Sequence, residues 1–299
     1  MPQRTKPIPK DIERKLQAVV RRIEESATFD GVCAMDFNEA TSVRALSSVA
    51  GMSERSLRDY FRAYTGMSIV EYVSSRRAEY AARIFRLFPK LSKAQVAYVI
   101  GFTAPNGIYG LMRKNGVDDI DSFKIANSSA GLSSLPFRFD EMPECSLFYC
   151  QIDTHYKDCA TIGFEEDSWD LIEQYVSERY SDALILGYVG FAIDKYLKND
   201  SESGLFIPGI VYRNVRPNQK DILGDFGWRD VPPHRYAVFT YRGNYNGLNS
   251  FYDDVVFTIN SSIDLNIDVA MPFMEKYLNS PKDTPDDELI TEIWVALMN

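Results

Sequence analysis

The sequence predicts two domains of different class: an all-α half over residues 1–126 and an α+β half over 137–299, joined by a linker at 127–136. Three observations carry this reading. In the front half, apolar residues recur every three or four positions, the period of helices packed on one face. In the rear half, runs such as SLFYCQI (146–152), RYAVFTY (235–241) and TEIWVALM (291–298) are aromatic and β-branched, as strands are. The rear half also repeats itself: FRFDEMPECSLFYCQIDTHY (137–156) aligns without gaps on FGWRDVPPHRYAVFTYRGNY (226–245), matching Phe137 with Phe226, Phe139 with Trp228, Pro143 with Pro232 and Tyr156 with Tyr245.

Charge divides along the same line. Residues 1–127 hold 20 Lys+Arg against 14 Asp+Glu, and residues 128–299 hold 13 against 28. A basic front attracts phosphate, and an acidic rear attracts cations or keeps the chain soluble. No apolar run is long enough to span a membrane. The N-terminal segment has basic residues but no apolar core behind them, so it does not read as a secretory signal and a cytoplasmic location is expected. Cys33, Cys145, Cys150 and Cys159 match no metal-ligand spacing and read as reduced structural thiols. No cofactor and no metal are expected.

The elements follow in order. Ile12, Leu16, Val19, Val20 and Ile23 form one stripe behind Pro9, which makes a first helix. Residues 28–41 read as a loop. Helices are expected near 42–50, 54–65, 68–87, 92–99 and 105–114. NSSAGLSSLP (127–136) lacks periodicity and is rich in Ser, Gly and Pro, as linkers are. Two rear helices are expected, near 167–179 and 247–260. With IPGIVYR (207–213) answering ITEIWVA (290–296), the rear half becomes two copies of a strand–helix–strand–strand unit, an arrangement that leaves a cleft between the copies.

The segment VRALSSVAGMSERSLRDYFRAYT (43–65) reads as a helix–turn–helix. Gly51 supplies the tight turn and Ser53 is placed to cap the second helix. That helix carries Leu57, Tyr60, Phe61 and Tyr64 on one face, with Arg55, Arg58, Asp59 and Arg62 on the other. A basic helix of this kind enters a DNA major groove, where arginine grips guanine or holds phosphate. A plain helical bundle with a solvated basic face is the competing reading.

The spacings Ser53, Leu57, Phe61, Gly66, then Tyr72, Arg77, Ala81, then Val96, Ala97, Gly101, Phe102 resemble those of the AraC/XylS family of transcription regulators over about 41–124. The resemblance implies two helix–turn–helix units joined by one long helix, with double-stranded DNA as the partner. The second unit, APNGIYGLMRKNG (104–116), carries Pro105, Gly107 and Gly110, and glycine inside an exposed helix costs about 1 kcal/mol relative to alanine. Base reading is therefore expected from Arg55, Ser56, Arg58 and Arg62. Arg113 and Lys114 are expected to hold phosphate or to pack.

In the rear half, PFMEKYL (272–278) places Glu275 between Phe273 and Tyr277 on one face of a strand. In a cleft, such a carboxylate suits a cationic aromatic guest, by charge, stacking and cation–π contact. On an edge strand it is an ordinary surface residue. VPPHRYAVFTYRGNY (231–245) and FMEKYLNSPKDTPDDELITEIWVALM (273–298) resemble the GyrI-like effector domain. That resemblance implies a small-molecule effector, with Glu275 on the position of the family's buried glutamate and Glu292 on a second acidic position. Trp169, Tyr188, Phe191, Trp228, Tyr252, Tyr277 and Trp294 are the candidate walls, and Phe191, Trp228, Tyr277 and Trp294 are the preferred ones. The function expected is a DNA-binding transcription regulator whose rear domain senses a small ligand, acting through domain orientation or RNA polymerase. A hydrolase with Glu275 as general base and a topoisomerase-binding module are the alternatives.

Overall fold

A computed structural model of the chain describes residues 8–28, 34–125, 133–150, 152–155, 164–194, 196–197, 203–217, 226–262 and 265–298. The chain forms two compact units, Met1–Asn127 and Ser128–Asn299.

The front unit is built from α1 (Lys10–Thr28), α2 (Ala34–Ala40), α3 (Val43–Ala50), α4 (Glu54–Thr65), α5 (Ile69–Leu87), α6 (Lys93–Val99), α7 (Gly107–Lys114) and α8 (Ile120–Ile125). Serine starts four of them. Ser42, Ser53, Ser68 and Ser92 each accept a backbone N–H three residues on, and Glu71 and Gln95 complete capping boxes at the last two. The stripe on α1 packs as its spacing requires: Leu16, Val19 and Ile23 meet Leu46, Ala50, Leu57, Phe61 and Ile69 in one buried cluster.

Three expectations change here. Residues 34–40 form α2 rather than loop. The helix is short and has weak local signals, so tertiary contacts hold it: Phe37 is buried, the Arg77 guanidinium lies 4.7 Å from its ring centre, and the Asn38 amide donates to the Gly101 carbonyl at 3.0 Å. On α4, Tyr60 and Tyr64 are 37% and 36% exposed, while Leu57 and Phe61 are fully buried. The buried stripe is thus one row wide, and the tyrosines flank it. In α7 the helix begins at Gly107, leaving Pro105 and Asn106 outside it.

The rear unit contains β1 (Arg138–Met142), β2 (Cys145–Cys150), β3 (Ile152–His155), α9 (Phe164–Ser177), β4 (Leu184–Asp194), β5 (Ser203–Arg213), β6 (Phe226–Val231), β7 (His234–Arg242), α10 (Leu248–Ser261), β8 (Met274–Tyr277) and β9 (Ile290–Ala296). The strands form one antiparallel sheet in the order β1-β7-β9-β8-β4-β5-β2-β6, with β3 also on β5. Exchanging the first copy's strands for the second's reverses this order onto itself, so the repeat is a pseudo-two-fold through the β4–β8 pair. Each copy also carries a leading strand ahead of the four-element unit. It pairs with the other copy, β1 with β7 and β6 with β2, which ties the two halves into one sheet.

Candidate functional site

The centre of that sheet is where Glu275 lies. β8 is flanked by β9 and β4 and is no edge strand. Across the central pair Tyr188 faces Tyr277, Val189 faces Lys276 and Gly190 faces Glu275. Directly paired residues share a sheet face and alternate residues leave it, so Glu275, Tyr277, Tyr188 and Gly190 point the same way. The glycine is required there. A Cβ at Gly190 would lie 2.4 Å from the Phe206 ring and 3.0 Å from the Tyr277 hydroxyl.

Both rear helices cover this face. Tyr252 of α10 donates to Glu275 Oε1 at 2.8 Å, and Tyr277 donates to Glu275 Oε2 at 2.5 Å. Glu275 is 4% exposed. Burial penalises its charge, and the two hydroxyl donors offset part of that cost. Phe273 stacks on Tyr252 with centroids 6.3 Å apart. Trp169 of α9 meets Tyr277 at 5.0 Å and Tyr188 at 5.6 Å, and Tyr245 meets Tyr277 edge-on at 5.6 Å. The Trp169 indole N–H is held by the Val189 carbonyl at 3.3 Å. Tyr188, Tyr245 and Tyr252 are half-buried, so the cluster reaches solvent through them. A buried carboxylate ringed by aromatic faces is the chemistry of an organic-cation site.

Of the seven candidate walls the structure brings together Trp169, Tyr188, Tyr252 and Tyr277. Of the four preferred, Tyr277 meets Glu275 and Trp228 packs against the same buried cluster from a distance. Phe191 neighbours Gly190 on β4 and therefore points to the opposite face. Trp294 pairs with Met274 rather than Glu275 and also lies there, its indole donating to Glu292 at 2.9 Å. Trp228 is on β6, at the far end of the sheet from β8, opposite Phe148. Sequence reasoning weighted ring size, but strand parity decides the face. Glu292 is likewise on the far face, where the Arg138 guanidinium pairs with it at 2.9 Å and Lys276 lies over the Trp294 ring at 5.0 Å. It is a compensated structural charge.

Tyr245 and Glu173 were missed. Tyr245 is visible in the repeat alignment only as a conserved match of the two blocks, with no indication that it would face the carboxylate. Glu173, on α9, accepts from the Tyr188 hydroxyl at 2.6 Å. Burial, then this hydrogen bond, pushes the Tyr188 phenol up to about 12.

The chain entering the rear unit is fastened to α10. The Ser133 N–H donates to Asp254 and the Leu135 N–H to the Thr258 hydroxyl, both at 2.9 Å. The same helix carries Tyr252. Residues 127–132 of the linker lie outside the described residues.

In the front unit Gly51 takes the left-handed conformation, φ 57°, between α3 and α4, and Ser53 caps α4. Arg55, Arg58 and Arg62 are exposed on α4, and Ser56 is half-buried with its hydroxyl bonded to the cap serine at 2.9 Å. Arg58 bonds Glu54 at 2.9 Å, an exposed pair. Arg113 and Lys114 are exposed in the last turn of α7, away from the N-terminal end that recognition helices present to bases. The glycine that starts α7 has a packing cause, since a Cβ at Gly107 would lie 2.6 Å from the Phe102 ring, whereas the interior Gly110 faces open space.

Residues 46–115 match the model of a helix-turn-helix domain, and residues 198–298 match the GyrI-like small molecule binding domain. The chain joins a helix-turn-helix domain to a GyrI-like domain. No curated protein matches it. Among solved structures, the EcmrR C-terminal domain is similar at 13% identity over 55% of this chain and 98% of that one, TM-score 0.41. EcmrR on DNA in the EcmrR-RPo assembly is similar at 11% identity over 86% and 99%, TM-score 0.42. A hydrolase from Listeria innocua is similar at 10% identity over 56% and 94%, TM-score 0.39. Among the described residues no helix is long and apolar enough to cross a membrane, and no group of His, Cys, Asp and Glu is placed to hold a metal ion. Cys145 and Cys150 are both buried.

Proposed function

We propose that the chain is a one-component transcription regulator, reading operator DNA through α4 and binding a cationic aromatic effector at Glu275. The observation that carries the effector half is the buried Glu275 carboxylate, held by two tyrosine hydroxyls inside a ring of aromatic side chains. A delocalised cation entering there gains a charge partner and several ring faces together. Arg55, Arg58 and Arg62 supply the DNA half, with base and phosphate contacts in a major groove. Arg113 and Lys114 add phosphate contacts.

The effector acts through α10 in this reading. A guest that takes the Glu275 oxygens displaces the Tyr252 hydroxyl, and the helix that carries Tyr252 also holds Ser133 and Leu135 at the entrance to the linker. An effector shifts DNA binding or polymerase engagement only by binding two states with different affinity. The test is operator binding by the full chain with and without tetraphenylphosphonium, a probe cation. The expected result is a change in operator affinity or transcript level that Glu275→Gln removes while leaving ligand-free DNA binding intact. Cation binding with no change in either readout would sink the regulatory reading.

A further inference from the structure

The cluster around Glu275 does not end there. Tyr277 bonds Glu275, its ring meets Trp169, Trp169 meets Tyr188, and Tyr188 bonds Glu173. Tyr188 and Tyr277 are direct cross-strand partners. The site therefore links two carboxylates through the Tyr277–Tyr188 pair, with Trp169 packed on both rings. The first carboxylate is on the central strand β8 and the second on α9, so both copies of the repeat contribute one end.

The Glu173 end has a further feature. Tyr212 of β5 is 2% exposed, and its hydroxyl is buried with no hydrogen-bond partner. It lies two residues from Ile210, the cross-strand partner of Tyr188, on the same face. It belongs to the same buried cluster as Trp169 and Tyr277, against which Tyr188 also packs, and burial, then Glu173 and Tyr188, push its ionisation upward. A buried hydroxyl left without a partner is destabilising. A ligand N–H group that reached Glu173 and Tyr212 together would satisfy both.

We infer that the Glu173–Tyr188–Tyr212 corner is a second cation subsite, and that the effector class is a two-headed aromatic cation with N–H donors on at least one head, such as a bis-amidine. One head sits at Glu275, the aromatic body lies along Trp169, Tyr188 and Tyr277, and the other head donates to Glu173 and Tyr212. A quaternary or phosphonium cation carries charge without N–H and satisfies only the Glu275 end. The inference rests on the Glu275 reading and extends it.

The test is calorimetric titration of the full chain, free of DNA, with pentamidine (an aromatic bis-amidine), benzamidine (one such head) and tetraphenylphosphonium. Two linked heads gain by effective concentration, so pentamidine should bind at least about tenfold tighter than benzamidine, which corresponds to about 1.4 kcal/mol. Glu173→Gln should cut that ratio to within about threefold of unity and leave tetraphenylphosphonium affinity unchanged. Tyr212→Phe should lower the ratio while leaving the chain as stable or more stable, a combination that a purely structural hydroxyl would not give. A pentamidine advantage that survives both variants overturns the inference while leaving Glu275 in place. Cation binding that ignores Glu275→Gln overturns both.

Discussion

Replacing Glu275 by glutamine separates a binding carboxylate from a structural one. The two side chains have the same shape. In the unliganded chain the carboxylate accepts from Tyr252 and Tyr277. Bonds to a charged acceptor are worth about 1.5–3 kcal/mol each, and bonds to a neutral amide about 0.5–1.5. The loss on that side is about 2–3 kcal/mol. Against it stands the cost of holding a charge at 4% exposure, several kcal/mol for a buried ion. The two oppose, and stability should move by no more than about 1 kcal/mol. For a bound cation the balance is one-sided. A unit charge about 4 Å away in a medium of effective dielectric 20 gains about 4 kcal/mol, and desolvation of a delocalised aromatic cation takes back part of it. A net loss of about 2–3 kcal/mol is expected, or roughly 30- to 150-fold in affinity. Tryptophan fluorescence titration with tetraphenylphosphonium reads the affinity through Trp169, and urea unfolding reads the stability. Unchanged affinity together with a stability loss above about 2 kcal/mol would make Glu275 a structural residue and refute the reasoning.

Arg58→Ala should weaken operator binding by about 1–3 kcal/mol and relax site preference, while its exposed bridge to Glu54 contributes under about 1 kcal/mol to folding. Fluorescence anisotropy on selected operators checks this, and unchanged affinity and preference would count against α4 as the reader. Gly110→Ala should stabilise the front unit by up to about 1 kcal/mol, whereas Gly107→Ala should destabilise it by about 1–3 kcal/mol because its methyl meets Phe102; thermal melts of the two variants should shift in opposite directions. Stability of the rear unit should fall as pH rises above about 9. Burial lifts Cys145 from 9.0 to about 11, and burial with Glu173 lifts Tyr188 from 10.0 to about 12, so the unfolded chain loses these protons first and gains relative to the folded one. Urea midpoints between pH 8 and 11 that stay flat would contradict it. Thr258→Val should leave cation affinity within about twofold yet reduce the effector's influence on operator binding, because it removes the hydroxyl that holds Leu135; an undiminished response would exclude α10 as the route.

The candidate DNA surface was legible because its determinants are local. Ser53, Gly51 and the Leu57–Phe61 spacing fix cap, turn and buried row within one short segment, and the remaining face is exposed by default. Helix α2 was not legible: Phe37, Asn38 and Arg77 make it helical through contacts with α5 and Gly101, far away in sequence. Glu275 was legible from its own strand, since alternation alone puts it between Phe273 and Tyr277.

What surrounds Glu275 was not, because parity and pairing belong to the sheet. Phe191 and Trp294 are as aromatic as Tyr188 and Trp169, yet one register step in β4 and β9 turns them to the other face. The sequence by itself determined two units of opposite charge, a helix–turn–helix with three exposed arginines, and a duplicated sheet domain with one glutamate between aromatics. Those properties depend on spacings of a few residues and on the match between repeats. The tertiary structure decided which aromatic side chains meet that glutamate, that Glu292 is neutralised by Arg138, and that a second carboxylate on α9 joins the site. These depend on strand order across the pseudo-two-fold, where residues some ninety positions apart become direct partners, a relation that no local pattern encodes.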